Sequence, residues 1–117
     1  MNGQTKRAAE GQTMTTFDER EHAFEAKFAL DGEMQFRAEA RRNKLLGLWA
    51  AGLLGKVGDA AAAYAIEVVN SDFEEAGVED VVRKVAGDLG AKSNPAEVRA
   101  RLVELLTVAK TQLMTEL

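Results

Sequence analysis

The chain has no cysteine, one proline and one histidine among its 117 residues. Without cysteine there is no disulfide framework, no thiolate metal site and no cysteine nucleophile, which suits a reducing compartment. A lone histidine excludes sites built on paired imidazoles. Glu19 and His22 have the i,i+3 spacing of a carboxylate-bridged di-iron bundle, but that chemistry needs a second Glu-x-x-His, so His22 reads as a surface residue. No apolar run approaches the roughly 18 residues of a membrane span, and none near the start is long enough for a signal-peptide core. Direct membrane insertion is therefore not expected, and the default location is cytoplasmic. Beyond the first thirteen residues there is no alternating Val/Ile/Thr run and no Asn-Gly turn, so strands are not expected either. Acidic residues outnumber basic ones, 19 to 15. A net charge of −4 argues against a general nucleic-acid binder, which needs a basic face to neutralise phosphates. The one basic patch, Arg37, Arg41, Arg42 and Lys44, reads as a solvated helix face, with Glu33 four residues before Arg37.

What is present is helical. A length of one domain with 46% hydrophobic and 29% charged residues describes an ordinary globular protein with a single core. Residues 1–13 are polar, small and without period, and are expected to be a disordered extension, since Met14 can itself begin the protein. Residues 17–54 are expected to form either one long helix kinked near Gly32 or two shorter ones. Its later apolar face is Met34, Ala38, Leu45 and Trp49, and Gly55 to Gly58 then breaks it. Asp59 is the expected cap of a helix through Asn70 whose buried face is Ala62, Ile66, Val69 and Phe73. A third helix shows Val78, Val81, Val82, Val85, Ala86 and Leu89, with Gly90 as its stop. Asn94-Pro95 with Glu97 gives the clearest start signal, a cap followed by proline at the first helical position. The fourth helix carries Val98, Leu102, Leu105, Leu106, Ala109 and Leu113 at helical spacing. Four helices with short connections predict an all-α fold, a small four-helix bundle with a flexible N-terminal segment.

That segment, residues 14–28, reads MTTFDEREHAFEAKF. At roughly 100° per residue, Phe17, Phe24 and Phe28 fall within about 40° of one another, a narrow stripe on a charged cylinder. Thr16 and Glu19 have capping-box spacing, and Asp18, Glu19 and Glu21 suit the positive end of a helix dipole. The apolar face of the following stretch lies roughly 90° away, so the two stripes have different partners. Two readings stay open from spacing alone. The stripe inserts into another protein, or Phe24 and Phe28 cover the edge of the protein's own core.

Catalytic constellations are missing. Gly52 to Val57 is too tightly spaced for a phosphate loop and has no Ser/Thr after Lys56, so it reads as a helix-ending loop. Ser71 and Ser93 have no histidine partner. Trp49 among leucines reads as a core anchor, and Tyr64 as a packed ring with its hydroxyl at the rim. No enzyme, no catalytic residue and no metal site are expected.

The start at Phe17, the block EMQFRAEARRNKLLGLWAA from Glu33 and the following GDAAAAYA from Gly58 together resemble the zeta inhibitor subunit of bacterial rotary F-type ATP synthases. The resemblance runs from residue 14 to the C-terminus. It implies a non-enzymatic regulatory protein of four helices whose N-terminal segment, residues 14–29, inserts into the catalytic head and stops ATP hydrolysis, while residues 30–117 form the helical domain. On that reading the partner is the head's alpha, beta and gamma subunits, and the protein is peripheral on the membrane-bound synthase. Phe17, Phe24 and Phe28 supply apolar anchors, Asp18, Arg20, Glu21, Glu25 and Lys27 pair charges at the rim, and Thr16 caps the helix. No cofactor is implied. An alternative from another class is a small helical module that binds a nucleotide or other ligand weakly in a cleft near Trp49 and Tyr64. A third is a structural protein that hides its Phe stripe by self-association.

Overall fold

The computed structural model describes residues 31–73, the side chain of Phe73 apart, and 77–116. The order is α1 (Gly32–Leu53), α2 (Gly58–Asn70), a 3-10 turn at Ser71–Phe73, α3 (Glu79–Leu89), a second 3-10 turn at Gly90–Lys92, and α4 (Pro95–Glu116). Among the described residues there is no strand, and the fold is an all-α four-helix bundle. The chain divides into two units, Met1–Gln35 and Phe36–Leu117, and the packing described below belongs to the second.

Each boundary has a local cause. At the start of α1 the Asp31 carboxylate accepts hydrogen bonds from the backbone N–H groups of Glu33 (3.1 Å) and Met34 (3.2 Å), satisfying two orphan donors of the first turn. Helix α1 thus starts at Gly32, and the chain before Asp31, on which the choice between one kinked helix and two shorter ones depends, lies outside the described residues. At the other end Gly55, with φ of 76°, takes the left-handed conformation. Its N–H donates to the Gly52 carbonyl (3.1 Å) while Lys56 N–H reaches back to Ala51 (2.8 Å), the paired bonds of a Schellman motif. Asn94 caps α4 as expected, its Oδ1 accepting from Glu97 N–H at 2.9 Å. The start of α2 corrects an expectation. The cap position is Val57 in extended conformation with no side-chain hydrogen bond, and Asp59 lies inside the first turn, where its carboxylate meets the positive dipole end instead.

The core joins Leu46, Ala50 and Ala51 of α1, Tyr64 and Val68 of α2, Val81, Val82, Val85 and Leu89 of α3, and Val98 and Leu102 of α4. Trp49 is half-buried and packs against this cluster. Helix α3 buries the face its spacing announced, with Val78 and Ala86 at the margin. In α4 Val98, Leu102, Ala109 and Leu113 are buried, whereas Leu105 and Leu106 are half-buried. Helix α2 is turned away from its expected face: Ala62 is exposed, Ile66 is 59% exposed and Val69 is half-buried, while Tyr64, Ala65 and Val68 point inward. The reason is composition. Between Ala60 and Val69 apolar residues occupy every side of the helix except at Glu67, so periodicity does not choose among faces. Close approach chooses instead. A Cβ at Gly47 would lie 2.6 Å from Ala65 Cα, so α1 and α2 meet through two of the smallest residues.

Candidate functional site

The nine residues expected to contact a partner, Thr16, Phe17, Asp18, Arg20, Glu21, Phe24, Glu25, Lys27 and Phe28, lie outside the described residues, as do Glu19 and His22. The described residues show how the body holds the helix that follows them.

Three polar side chains tie α1 to the turn after α2. Arg42 Nε donates to Asn43 Oδ1 (3.0 Å), Asn43 Nδ2 donates to Asp72 Oδ2 (2.9 Å), and the Arg42 guanidinium lies 3.8 Å from the same Asp72 oxygen. Asn43 is 1% and Arg42 7% exposed. Burial is the main influence on Arg42 and pulls its pKa below the ordinary value, with Asp72 and Glu39 opposing it. A guanidinium starts so far above neutrality that it stays charged throughout the physiological range. This corrects the reading of the basic patch as a solvated face, because one of its four members is interior. The network was missed in the sequence, although a signal was there. Arg42 stands four residues from both Ala38 and Leu46, in the middle of the apolar stripe, where a charge requires a partner.

A second tie joins α1 to the end of α4. Arg41 donates to Gln112 Oε1 (2.8 Å) and to both carboxylate oxygens of Glu116 (2.9 and 3.0 Å). The hydrogen bond from Arg41 holds the Glu116 carboxyl below its usual pKa. Outside this region, Tyr64 Oη donates to Asp88 Oδ2 (2.8 Å), and Lys84, bonded to Glu67 and Asp88, sits 5.3 Å from the tyrosine ring centroid. Burial, followed by the bond to Asp88, pushes the Tyr64 hydroxyl well above the ordinary tyrosine range. The Arg101 guanidinium lies over the Trp49 ring at 5.2 Å. Both aromatic residues are thus occupied by the protein's own side chains.

The described residues of the body include two open grooves. One, of about 490 Å³, runs between α3 and the start of α4 and is lined by Arg83, Ser93, Asn94 and Arg99 among others. The other, of about 420 Å³, lies between α1 and the end of α4. Neither is lined by Trp49 or Tyr64, where a ligand cleft was anticipated. Ser71 Oγ donates to the Val68 carbonyl and Ser93 Oγ to Glu97, which are helix-terminal roles. Among the described residues no group of three or more His, Asp or Glu side chains is placed to hold a metal ion, and no helix is long and apolar enough to cross a membrane.

Comparison with known proteins places this arrangement. Residues 14–112 match the family model described as ATPase inhibitor subunit zeta. A chain solved by solution NMR is 68% identical, with a TM-score of 0.68, and the match covers 72% of this chain and 99% of that one. Among curated proteins nothing matches.

Proposed function

This chain belongs to the ATPase inhibitor subunit zeta family, a family of regulatory rather than catalytic subunits, and from that premise we propose that it stops ATP hydrolysis by inserting residues 14–28 into the catalytic head of a rotary F-type ATP synthase. The observation that carries the reading is the coincidence of the family match, which begins at residue 14, with the start of the segment bearing Phe17, Phe24 and Phe28. Those rings enter apolar pockets between alpha, beta and gamma subunits, while Asp18, Arg20, Glu21, Glu25 and Lys27 pair with charges at the rim. Thr16 caps the inserted helix. A helix of this length is marginal alone in water, so its order comes from the contacts it makes. The protein acts from solution as a peripheral partner of the membrane-bound synthase. Residues 30–117 act as the folded domain that carries the segment, and residues 1–13 as an extension without part in inhibition.

Hydrolysis by the matching synthase tests this directly. Deleting residues 14–28 abolishes inhibition while helical circular dichroism and a cooperative melt persist. Phe17→Ala, Phe24→Ala and Phe28→Ala each weaken inhibition by about 1 kcal/mol or more. Full inhibition by the deleted chain would overturn the assignment.

A further inference from the structure

Phe36, Ala40, Lys44 and Leu48 recur every fourth residue of α1, so they run in a row along one side of the helix. The Phe36 ring is 62% exposed and Leu48 40%, Ala40 is half-buried, and Lys44 makes no hydrogen bond or ion pair with any of the described residues. Other charges beside the row are already engaged. Arg41 and Glu116, both in the groove between α1 and the end of α4, neutralise each other, and Arg37 has an interaction of its own. The row is thus apolar at both ends with one unopposed ammonium between them. A matching occupant presents apolar side chains in line, interrupted by a single carboxylate at the place of Lys44.

Residues 14–28 carry that pattern in reverse order. On a helix Phe17, Glu21, Phe24 and Phe28 fall within about 60° of one another, and their row is about 16 Å long against about 18 Å from Phe36 to Leu48. Asp31 caps α1 and Gly32 begins it, so three residues, 29–31, lie between Phe28 and the helix. Connections of two to five residues join antiparallel helices, which makes this side of α1 the first surface the segment can reach. We propose that in the free protein residues 14–28 fold back antiparallel along α1, setting Phe28 on Phe36, Phe24 on Ala40, Glu21 on Lys44 and Phe17 on Leu48. The proposal rests on the function given above and deepens it, because the stripe then has two places in turn, its own helix at rest and the catalytic head on inhibition. The inserting face is hidden at rest. Affinity for the head is reduced by the fraction of chains in which the hairpin is open, so α1 regulates inhibition without touching the head.

The test uses the full chain, which has no cysteine to compete with an introduced pair. Under mild oxidation Glu21→Cys with Lys44→Cys should close an intramolecular disulfide about tenfold faster than His22→Cys with Lys44→Cys, whose first member points off the row. Equal rates for the two pairs, or a disulfide between two copies, would overturn the hairpin. Once closed, the first pair should not inhibit hydrolysis by the isolated catalytic head, and a reductant should restore inhibition. Undiminished inhibition by the closed form would overturn the hairpin as a resting state. Lys44→Glu should keep the cooperative melt and tighten apparent inhibition about threefold, while Lys44→Arg inhibits as the parent does. Unchanged or weaker inhibition by Lys44→Glu would overturn the proposal. Rapid closure of the first pair in a protein whose parent leaves hydrolysis untouched would sustain the hairpin and overturn the function instead.

Discussion

The two seams of the bundle are built on different principles. Between α3 and α4, Val81, Val82, Val85 and Leu89 meet Val98 and Leu102, all buried and none polar. Between α1 and α2, Gly47 lies against Ala65, and a few residues away Arg42 and Asn43 engage Asp72. The aliphatic seam removes more apolar surface from water, but branched side chains repack around small displacements at modest cost. The second seam removes less and permits less. Sliding α1 by one turn would bring a Cβ against Ala65 and leave Asn43 and Arg42 buried without partners. The difference teaches that stability and register come from separate places, and that register is concentrated on α1.

Loss of aliphatic volume should have the largest effect. Leu102→Ala is expected to cost about 2–5 kcal/mol in chemical denaturation while leaving inhibition per folded molecule unchanged. Gly47→Ala should cost about 1–3 kcal/mol despite the better helix propensity of alanine, because the new methyl meets backbone that cannot yield. If it proved neutral or stabilising, the close-approach account of the α1–α2 seam would fail. Asn43→Ala should cost about 1–3 kcal/mol, since it strands part of the Arg42 and Asp72 hydrogen-bonding capacity. Unlike Leu102→Ala, it should also broaden amide signals along α1; equal broadening in both variants would erase the distinction between the seams. The smallest effect concerns pH. Glu116 and Glu79 are held below the ordinary carboxylate pKa by hydrogen bonds from Arg41 and Arg99. Their folded values lie below their unfolded ones, so the stabilisation is fully present above the unfolded value and fades as pH falls through the folded one. Arg41→Gln should therefore lower the melting temperature slightly at neutral pH and by less once the solution is acidic enough to protonate Glu116, when only the bond to Gln112 is lost.

Those two seams also differ in how far they can be read from residues alone. Helix α3 was legible because its valines and Leu89 alternate with Arg83, Lys84, Gly87 and Asp88, so one face is apolar and the other is not. The ends at Gly55, Gly90 and Asn94 were legible because each turn needs a particular residue type. Helix α2 was not, because alanine on nearly every side makes each face acceptable, and the outcome depends on Gly47 across the interface. The tie from Arg42 to Asp72 joins residues thirty apart, so only the misfit of Arg42 in its stripe pointed to it. The segment carrying Phe17, Phe24 and Phe28 lies outside the described residues, and its stripe, read from spacing alone, fits a partner's surface and the edge of the protein's own core equally.

Trp49 is the sole tryptophan, and it stands on α1 with the guanidinium of Arg101, from α4, over its ring. Its emission is therefore an optical report on one contact. Separation of α1 from α4 exposes a half-buried indole to water and shifts its fluorescence to longer wavelength, while the far-ultraviolet signal follows the helices themselves. If the two signals change together during unfolding, the seams open as one cooperative unit. If the indole shifts first, α1 detaches before the remaining helices melt, and a single wavelength then reports in real time on that one helix.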